Sequence, residues 1–190
     1  MTDATHISEP LGRVLAMLPT LPALRRLGEL AAARPCVVID TREQEPLPIA
    51  RLPVVRAGLY TGDYSVAGLE SLFAVERKSV ADLVSCCAAS NRERFEHELH
   101  RLRGYRFKRL LIVGDRHDIE AGAYRSNIRP AAVMGSLQAW EVRFDIPVVF
   151  EADPASAARR VESWAWYAAR EAVHTVNGML RGAQGGASES

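Results

Sequence analysis

The chain has 190 residues, of which 48% are hydrophobic and 25% are charged, and its formal net charge is +1. This composition favours one globular domain, and its three cysteines, which lack CxxC spacing, suggest neither a disulfide framework nor a zinc site. Near-neutral charge requires any nucleic-acid affinity to come from a local patch, and the lack of a signal peptide or a long apolar run leads us to expect a cytoplasmic protein with no membrane contact.

A helix and a buried strand are the first predicted elements. Leu24, Leu27 and Leu30 recur at helical spacing, so we expect a helical extension over residues 1–34. Residues 36–39 are compact and mostly β-branched, and a polar loop follows them. This pattern is typical of a buried strand that opens the main domain.

Three short apolar runs follow the first strand. They cover residues 54–55, 63–66 and 72–78, and turns at Gly58 and Gly68 separate them. Short strands joined by tight turns predict an antiparallel meander.

The second half of the chain alternates helices and strands. Apolar residues recur at three- and four-residue steps after Ser79, which is placed to cap a helix. The remaining predicted elements are a helix at 92–103, a strand at 108–113, a helix at 130–144, a strand at 147–150 and a helix at 155–180. The order predicts an α/β fold with a mixed central sheet flanked by helices. We therefore place the main domain at residues 35–180 and predict a disordered tail at 181–190.

A group of charged residues on the meander has the composition of a metal site. Alternate residues of a strand share a face, so Glu76 and Lys78 project together. A hairpin at Gly68 brings Asp63 towards Glu76, and two neighbouring carboxylates suit Mg²⁺ or Mn²⁺. A lysine beside them can stabilise charge on a phosphate. Phosphodiester hydrolysis needs both a bound metal ion and such a positive charge. The alternative is that Asp63 is a turn residue and that Glu76 and Lys78 end a solvated strand.

Two separated motifs give the chain a family resemblance. The runs VVIDTREQEPLPI, GDYSVAG, AVERKSVADL and NRERFEHELHRL resemble the XPF-type nuclease domain of the excision-repair endonucleases and the related archaeal Hef nuclease. The family pattern of Gly-Asp, a spacer, Glu-Arg-Lys, three residues and Asp is matched by Gly62-Asp63, Glu76-Arg77-Lys78 and Asp82. The family's earlier Asp-x-Arg-Glu is matched by Asp40, Arg42 and Glu43. The resemblance runs from about residue 37 to residue 115.

The resemblance implies a restriction-endonuclease-like fold and a Mg²⁺- or Mn²⁺-dependent endonuclease that cuts flap, fork or branched DNA beside a duplex junction. It implies that Asp63 and Glu76 are catalytic metal ligands, that Glu43 is a further catalytic acid and metal ligand, and that Lys78 is the catalytic cation. Asp40 also matches the family pattern and is placed with the catalytic residues.

Four arginines are the candidate DNA contacts. They are Arg42, Arg77, Arg92 and Arg94. The last two lie in a segment with excess positive charge, which can follow a phosphate backbone or can form ordinary i, i+4 ion pairs on an amphipathic helix. Arg77 points away from the two acids, so a structural salt bridge is as reasonable for it as a DNA contact.

The resemblance also implies a homodimer or a heterodimer. Trp166 lies away from the apolar face of the last predicted helix, so it is a candidate exposed interface anchor, or it packs under the N-terminal segment. Since we predict only one long helix and a disordered tail after residue 151, we expect no counterpart there of the family's tandem helix-hairpin-helix units. Two other functions stay open: a catalytically silent scaffold that binds DNA or a partner, and a restriction-like nuclease with sequence preference. Intact Asp63, Glu76 and Lys78 argue against the scaffold.

Overall fold

The structure is a computed structural model that describes residues 34–185. The strands are β1 (Val37–Asp40), β2 (Val54–Ala57), β3 (Tyr64–Val66), β4 (Phe73–Ser79), β5 (Phe107–Val113) and β6 (Val148–Glu151). The helices are α1 (Val80–Cys86), α2 (Ala89–Leu102), α3 (Arg116–Glu120), α4 (Pro130–Phe144) and α5 (Pro154–Gly185). No helix in this part of the chain has both the length and the apolar character needed to cross a bilayer.

All six strands form one mixed sheet in the order β2-β1-β3-β4-β5-β6. Helices flank it, which confirms the predicted fold class. The predicted meander is wrong in one respect. β3 and β4 do form an antiparallel pair, but β2 pairs in parallel with β1, with Val37 opposite Val54. The connection from β1 to β2 places Leu47 and Leu52 in the core, so this segment crosses the sheet and returns β2 to an outer edge.

Several predicted boundaries differ from the structure. α2 begins at Ala89 rather than at Arg92, and the short helix α3 was not predicted. α5 continues to Gly185, five residues beyond the predicted end of the last helix. The predicted extension at 1–34, apart from Arg34, and the end of the tail at 186–190 lie outside the described residues.

Two apolar clusters hold the sheet between its helices. On one face, Leu83, Phe95 and Trp140 from α1, α2 and α4 pack with the buried middle of β5. On the other face, Val161 and Ala165 of α5 pack against the buried strand residues Val37, Tyr64, Phe73 and Val75. Side chains alternate between the two faces along a strand. The catalytic candidates Glu76 and Lys78 therefore lie on the opposite face of β4 from Val75 and face α2 rather than α5.

The direction of the strands brings the predicted acids to one edge. β1, β4, β5 and β6 run in the same direction, and only β3 is antiparallel to its neighbours in the sheet. The carboxyl ends of β1 and β4 therefore meet at the edge where β3 begins. Asp40 ends β1, Asp63 directly precedes β3, and Lys78 lies at the end of β4.

Candidate acidic site at the carboxyl edge of the sheet

Gly62 lets Asp63 lie against β4. Gly62 has a φ of +82°, and a Cβ atom there would be 3.0 Å from the carbonyl oxygen of Val75. The Asp63 amide donates a hydrogen bond of 2.8 Å to that same carbonyl oxygen. A side chain at position 62 would therefore be strained and would push the turn away from the strand. This is the physical reason for the Gly-Asp sequence at this point.

The three residues predicted to act together do lie together. Tyr64 is opposite Val75 in the antiparallel pair, so Asp63 comes next to Glu76. Lys78 Nζ donates to Glu76 Oε1 at 2.6 Å, and an oxygen of Asp63 accepts from the Arg77 amide at 2.7 Å. Glu76 is only 7% exposed.

The two carboxylates are electrostatically unfavourable in the absence of a cation. Burial and the neighbouring charge of Glu76 raise the pKa of Asp63 to about 8. Burial also raises the pKa of Glu76, and the charge and hydrogen bond of Lys78 oppose that rise only in part. For Lys78, burial lowers the pKa, but the Glu76 carboxylate outweighs it and raises the pKa overall. Lys78 therefore stays cationic beside a pair of acids that a second positive charge would stabilise.

Asp40 has a different environment from the other acids. It is 1% exposed, and its two oxygens accept from the amide, Nε and Nη2 of Arg42 and from the amide of Leu59, at 2.6 to 3.1 Å. Burial raises its pKa, but these hydrogen bonds and the Arg42 charge outweigh that effect and lower the pKa to about 2. Its oxygens are already occupied by hydrogen bonds, so Asp40 holds Arg42 and the following loop, and its predicted catalytic part stays a prediction.

Glu43 lies near the acid pair but outside it. It adds a small upward contribution to the pKa of Asp63, and its Oε1 accepts from the Glu45 amide at 2.8 Å. Among residues 34–185, no three acids, histidines or cysteines form a group that could hold a metal ion. Glu43 lines the same cleft as Asp63, and its part as a third ligand stays a prediction. Asp63 and Glu76 suffice for Mg²⁺, which is commonly bound through one or two carboxylates while it keeps several waters.

Two of the four predicted DNA-contacting arginines are held within the fold. Arg92 donates to Glu96 Oε1 and to Ser136 Oγ, each at 2.9 Å, and its guanidinium lies 5.1 Å from the Trp140 ring centre. Arg77 is 11% exposed and lies 3.7 Å from Glu45. Arg77 also lines the cleft around the acids, and its buried Nε has no hydrogen-bond partner among the described residues, so both arginines stay predicted DNA contacts.

The other two arginines, like Arg77, line the cleft around the acids. Arg42 is 71% exposed although it is bound to Asp40, and Arg94 is exposed. The cleft consists of two adjoining depressions of about 400 and 210 Å³ that share Arg42, Asp63 and Lys78. Further residues that line it are Glu43, Gln44, Glu45, Thr61, Glu76, Asp82, Ser85, Glu98 and Arg101.

Sequence reasoning missed two contributions from α2. Glu98 Oε2 lies 3.9 Å from Lys78 Nζ, and the charge of Arg101 lowers the pKa of Glu76 against the larger effect of burial. Both residues lie on one side of α2, three positions apart, and the Phe95 ring of the same helix is 5.4 Å from Lys78 Nζ. The spacing was visible in the sequence, but only the packing of α2 on β4 shows what it faces.

Asp82 belongs to the start of α1. Ser79 Oγ donates to Asp82 Oδ2 at 2.7 Å and accepts from the Asp82 amide at 3.1 Å. This reciprocal arrangement is a capping interaction that satisfies the first turn of the helix. Asp82 thereby fixes the direction in which the chain leaves β4, immediately after Lys78.

Known proteins share both the sequence pattern and the fold. The family model described as the ERCC4 domain matches residues 39–163. No curated protein sequence gives a significant match. The solved structure of XPF from Aeropyrum pernix is 21% identical with a TM-score of 0.58, and the alignment covers 80% of this chain and 73% of that one. XPF from Aeropyrum pernix in complex with DNA is 23% identical with a TM-score of 0.57, covering 73% of this chain and 66% of that one. At these identities, the structural likeness shows the shared fold.

Proposed function

This chain belongs to the ERCC4 domain family, and on that premise we propose that it is a metal-dependent DNA endonuclease that cuts branched, forked or flap-bearing DNA. The observation that carries the proposal is the buried acid pair of Asp63 and Glu76 with Lys78 beside it. The structurally similar XPF from Aeropyrum pernix has been solved in complex with DNA, which supports DNA as the substrate. The preference for branched DNA rests on the family resemblance.

Asp63 and Glu76 are the proposed ligands of Mg²⁺ or Mn²⁺. Their raised pKa values reflect repulsion and burial that a bound dication would relieve. When bound, the cation supplies Lewis acidity at the scissile phosphate. Glu43, which lines the same cleft, is proposed as a further catalytic acid and metal ligand.

Lys78 is the proposed catalytic cation. Its ion pair with Glu76 holds the ammonium group on the cleft wall, and the neighbouring Phe95 ring limits the directions it can take. A fixed positive charge at this position can stabilise negative charge that develops on the phosphate oxygens during in-line attack. The cleft offers Arg94, Arg42 and Arg101 as contacts for the flanking phosphates, which position a duplex without reading its sequence.

A cleavage assay tests the proposal. The protein is incubated with fork, flap, linear duplex and single-stranded DNA in Mg²⁺, Mn²⁺ or EDTA. We expect cutting of the branched substrates with either cation, none in EDTA, and a loss of roughly 100-fold or more in Asp63→Asn and Glu76→Gln with DNA binding retained. Glu120→Gln on α3, an exposed acid paired with Arg116, is the matched control and should cut normally.

Each outcome of that assay has a meaning. Cutting that persists in both acid variants would refute the assigned site, and binding without cutting by the unaltered chain would favour a silent scaffold. Preferential cutting of linear duplex at one sequence would favour a restriction-like nuclease.

Lys78→Ala gives a second test of the same site. We expect the cleavage rate to fall by about 100- to 1,000-fold, as is usual when one charge-stabilising group is removed. Lys108→Ala is the matched control, because Lys108 lies on the neighbouring strand β5 and pairs with Asp145. Equal losses in the two variants would show that the effect is structural.

A dimer remains a prediction, and its proposed anchor has changed. Trp166 is 7% exposed, so it is not the exposed residue that the sequence indicated. The exposed apolar side chains of α5 are Tyr167, Val176, Met179 and Leu180. Light scattering across a range of protein concentrations would establish whether the chain self-associates.

A further inference from the structure

Tyr60 places an aromatic ring in solvent beside the acid pair. Its side chain is 79% exposed, and it contacts no other ring and forms no hydrogen bond with the residues between 34 and 185. Tyr60 lines the smaller depression of the cleft together with Asp63, Glu76 and Lys78. Tyr167, the other exposed aromatic residue in this part of the chain, lies on α5 and is 55% exposed. An open aromatic face therefore stands next to the proposed point of cleavage.

The loop that carries Tyr60 is held on both sides of the ring. The Leu59 amide donates to Asp40 Oδ2 at 2.6 Å, and the Asp63 amide donates to a carbonyl oxygen of β4 at 2.8 Å. The two chain neighbours of Tyr60 are buried, since Leu59 is 8% exposed and Thr61 is 5% exposed. The backbone at position 60 is thus fixed by packed and hydrogen-bonded neighbours, and the ring is presented to solvent from a defined position.

This position lies within a few nucleotides of the proposed cleavage point. Tyr60 precedes Asp63 by three residues, so their Cα atoms are at most about 11 Å apart. Successive nucleotides of one DNA strand are about 3.4 Å apart along a duplex. A strand whose phosphate is held at the acids therefore passes the Tyr60 ring after a few nucleotides.

The two depressions of the cleft differ in composition. Arginines line the larger one without any aromatic residue of the described chain, and they are Arg42, Arg77 and Arg94. The smaller one contains Tyr60 and Arg101. Arginines alone suit the phosphates of a duplex, whereas an aromatic ring beside an arginine suits a single strand whose bases are accessible. Since Asp63 and Lys78 line both depressions, the acids lie where the two kinds of surface meet.

An aromatic face can stack only on a base whose own face is open. Within a duplex each base is paired and lies between its neighbours, so a protein ring cannot reach its face without paying for unstacking. An unpaired base at a fork or a flap leaves the stack at much lower cost. Tyrosine also has few rotatable side-chain bonds, so ordering it against a base costs little conformational entropy.

We propose that Tyr60 is a specificity-determining residue that stacks on an unpaired base beside the junction of a branched DNA. The larger depression then holds the duplex arm, and the smaller one holds the unpaired arm. The inference rests on the proposed function, because it takes DNA as the occupant of the cleft. It adds the physical feature by which this chain distinguishes a junction from a continuous duplex.

Binding measurements in EDTA test the proposal, because they report DNA contacts without cleavage. Affinities of the full chain for forked and linear duplex DNA are measured by fluorescence anisotropy at several salt concentrations. Tyr60→Ala should weaken binding to the fork by about 5- to 150-fold, and Tyr60→Phe, which keeps the ring, should bind as the unaltered chain does. Affinity for linear duplex and the salt dependence should be unchanged in Tyr60→Ala, since no phosphate contact is lost. Tyr167→Ala is the matched control and should keep the affinity for the fork.

A fluorescent base gives a second readout of the same contact. A fork with 2-aminopurine at the first unpaired position of either arm should lose emission when it binds the unaltered chain or Tyr60→Phe, but not when it binds Tyr60→Ala. The same base inside the duplex arm should not respond to position 60.

Several results would overturn the assignment of Tyr60. They are an unchanged affinity of Tyr60→Ala for the fork, equal weakening for fork and duplex, and a loss in Tyr60→Phe as large as in Tyr60→Ala. A chain that binds the fork through Tyr60 but cuts no DNA would refute the proposed nuclease and leave the stacking contact standing. A chain that cuts DNA with its acids but is indifferent to position 60 would refute the stacking contact alone, and one that binds no DNA would refute both.

Discussion

Buried carboxylates occur in two regions of this molecule, and their surroundings differ. In one region hydrogen-bond donors surround them, and in the other they lie beside each other. Next to the segment that connects β1 and β2, Asp40 at the end of β1 and Glu162 on α5 are each 1% exposed and are surrounded by donors. Glu162 accepts from the Ala50 amide at 2.8 Å, from the Arg51 amide and from Arg51 Nε. In the cleft, Asp63 and Glu76 face each other with Lys78 as the main compensation, and their pKa values are raised.

The difference separates acids that hold the fold from acids that are available for chemistry. A carboxylate whose oxygens are all occupied by hydrogen bonds has no free lone pair for a cation, whereas a repelling pair gains stability from one. Burial alone does not distinguish the two groups, because Asp40 is more deeply buried than Glu76. The number of hydrogen-bond donors around each carboxylate distinguishes the two groups.

The largest expected effect on stability is at Glu162. Glu162→Ala should lower the free energy of unfolding by about 3 to 5 kcal/mol, because it leaves a largely buried Arg51 and two amides without their acceptor. Urea denaturation measures it. Glu171→Ala, on the same helix, removes an exposed acid whose contact with Arg170 is 3.4 Å, and it should change stability by less than about 1 kcal/mol. Similar effects from the two variants would mean that Glu162 does not hold the crossing segment.

At Asp63, by contrast, we expect removal of the acid to stabilise the metal-free fold at high pH. Its pKa is raised from 3.8 to about 8 in the folded chain, so between these values the folded state binds more protons than the unfolded state. Its contribution to stability is therefore present at low pH and is lost as pH rises through about 8. Asp63→Asn should make the metal-free protein more stable than the unaltered chain at pH 9, with a smaller difference at pH 5. Thermal unfolding in EDTA at both pH values measures this, and a destabilised variant at pH 9 would show that the pair is not repulsive.

The smallest expected effect distinguishes two neighbouring arginines. Arg94→Ala should weaken binding to forked DNA several-fold and reduce the slope of log affinity against log salt by about 1, because one phosphate contact is lost. Arg92→Ala should leave the salt slope unchanged, since Arg92 is bound to Glu96 and Ser136. Fluorescence anisotropy at several salt concentrations provides the comparison. A change of slope in Arg92→Ala alone would reverse the assignment.

The sequence predicted most elements and the central site, but not how strands were paired. Apolar patterning located β2, yet a pattern in one segment does not say which neighbour it joins, and β2 joined β1 rather than β3. Alternation along β4 correctly put Glu76 and Lys78 on one face, and the Gly62-Asp63 turn brought the second acid to them.

The sequence could not show surroundings that come from distant elements. Arg92 is a predicted DNA contact, and its partner Ser136 lies 44 residues away on α4. Glu98 and Arg101 were not singled out, because their nearness to Lys78 and Glu76 depends on how α2 packs on β4. Asp40 matched the family pattern, but only the structure shows that Arg42 and Leu59 occupy its oxygens.

Calorimetric titration of Mn²⁺ into the protein tests the central assignment most directly. The unaltered chain should bind the cation in the cleft, while Asp63→Asn and Glu76→Gln, with circular dichroism unchanged, should each lose most of that binding, and Glu120→Gln should keep it. Undiminished Mn²⁺ binding in both cleft variants would contradict the assignment.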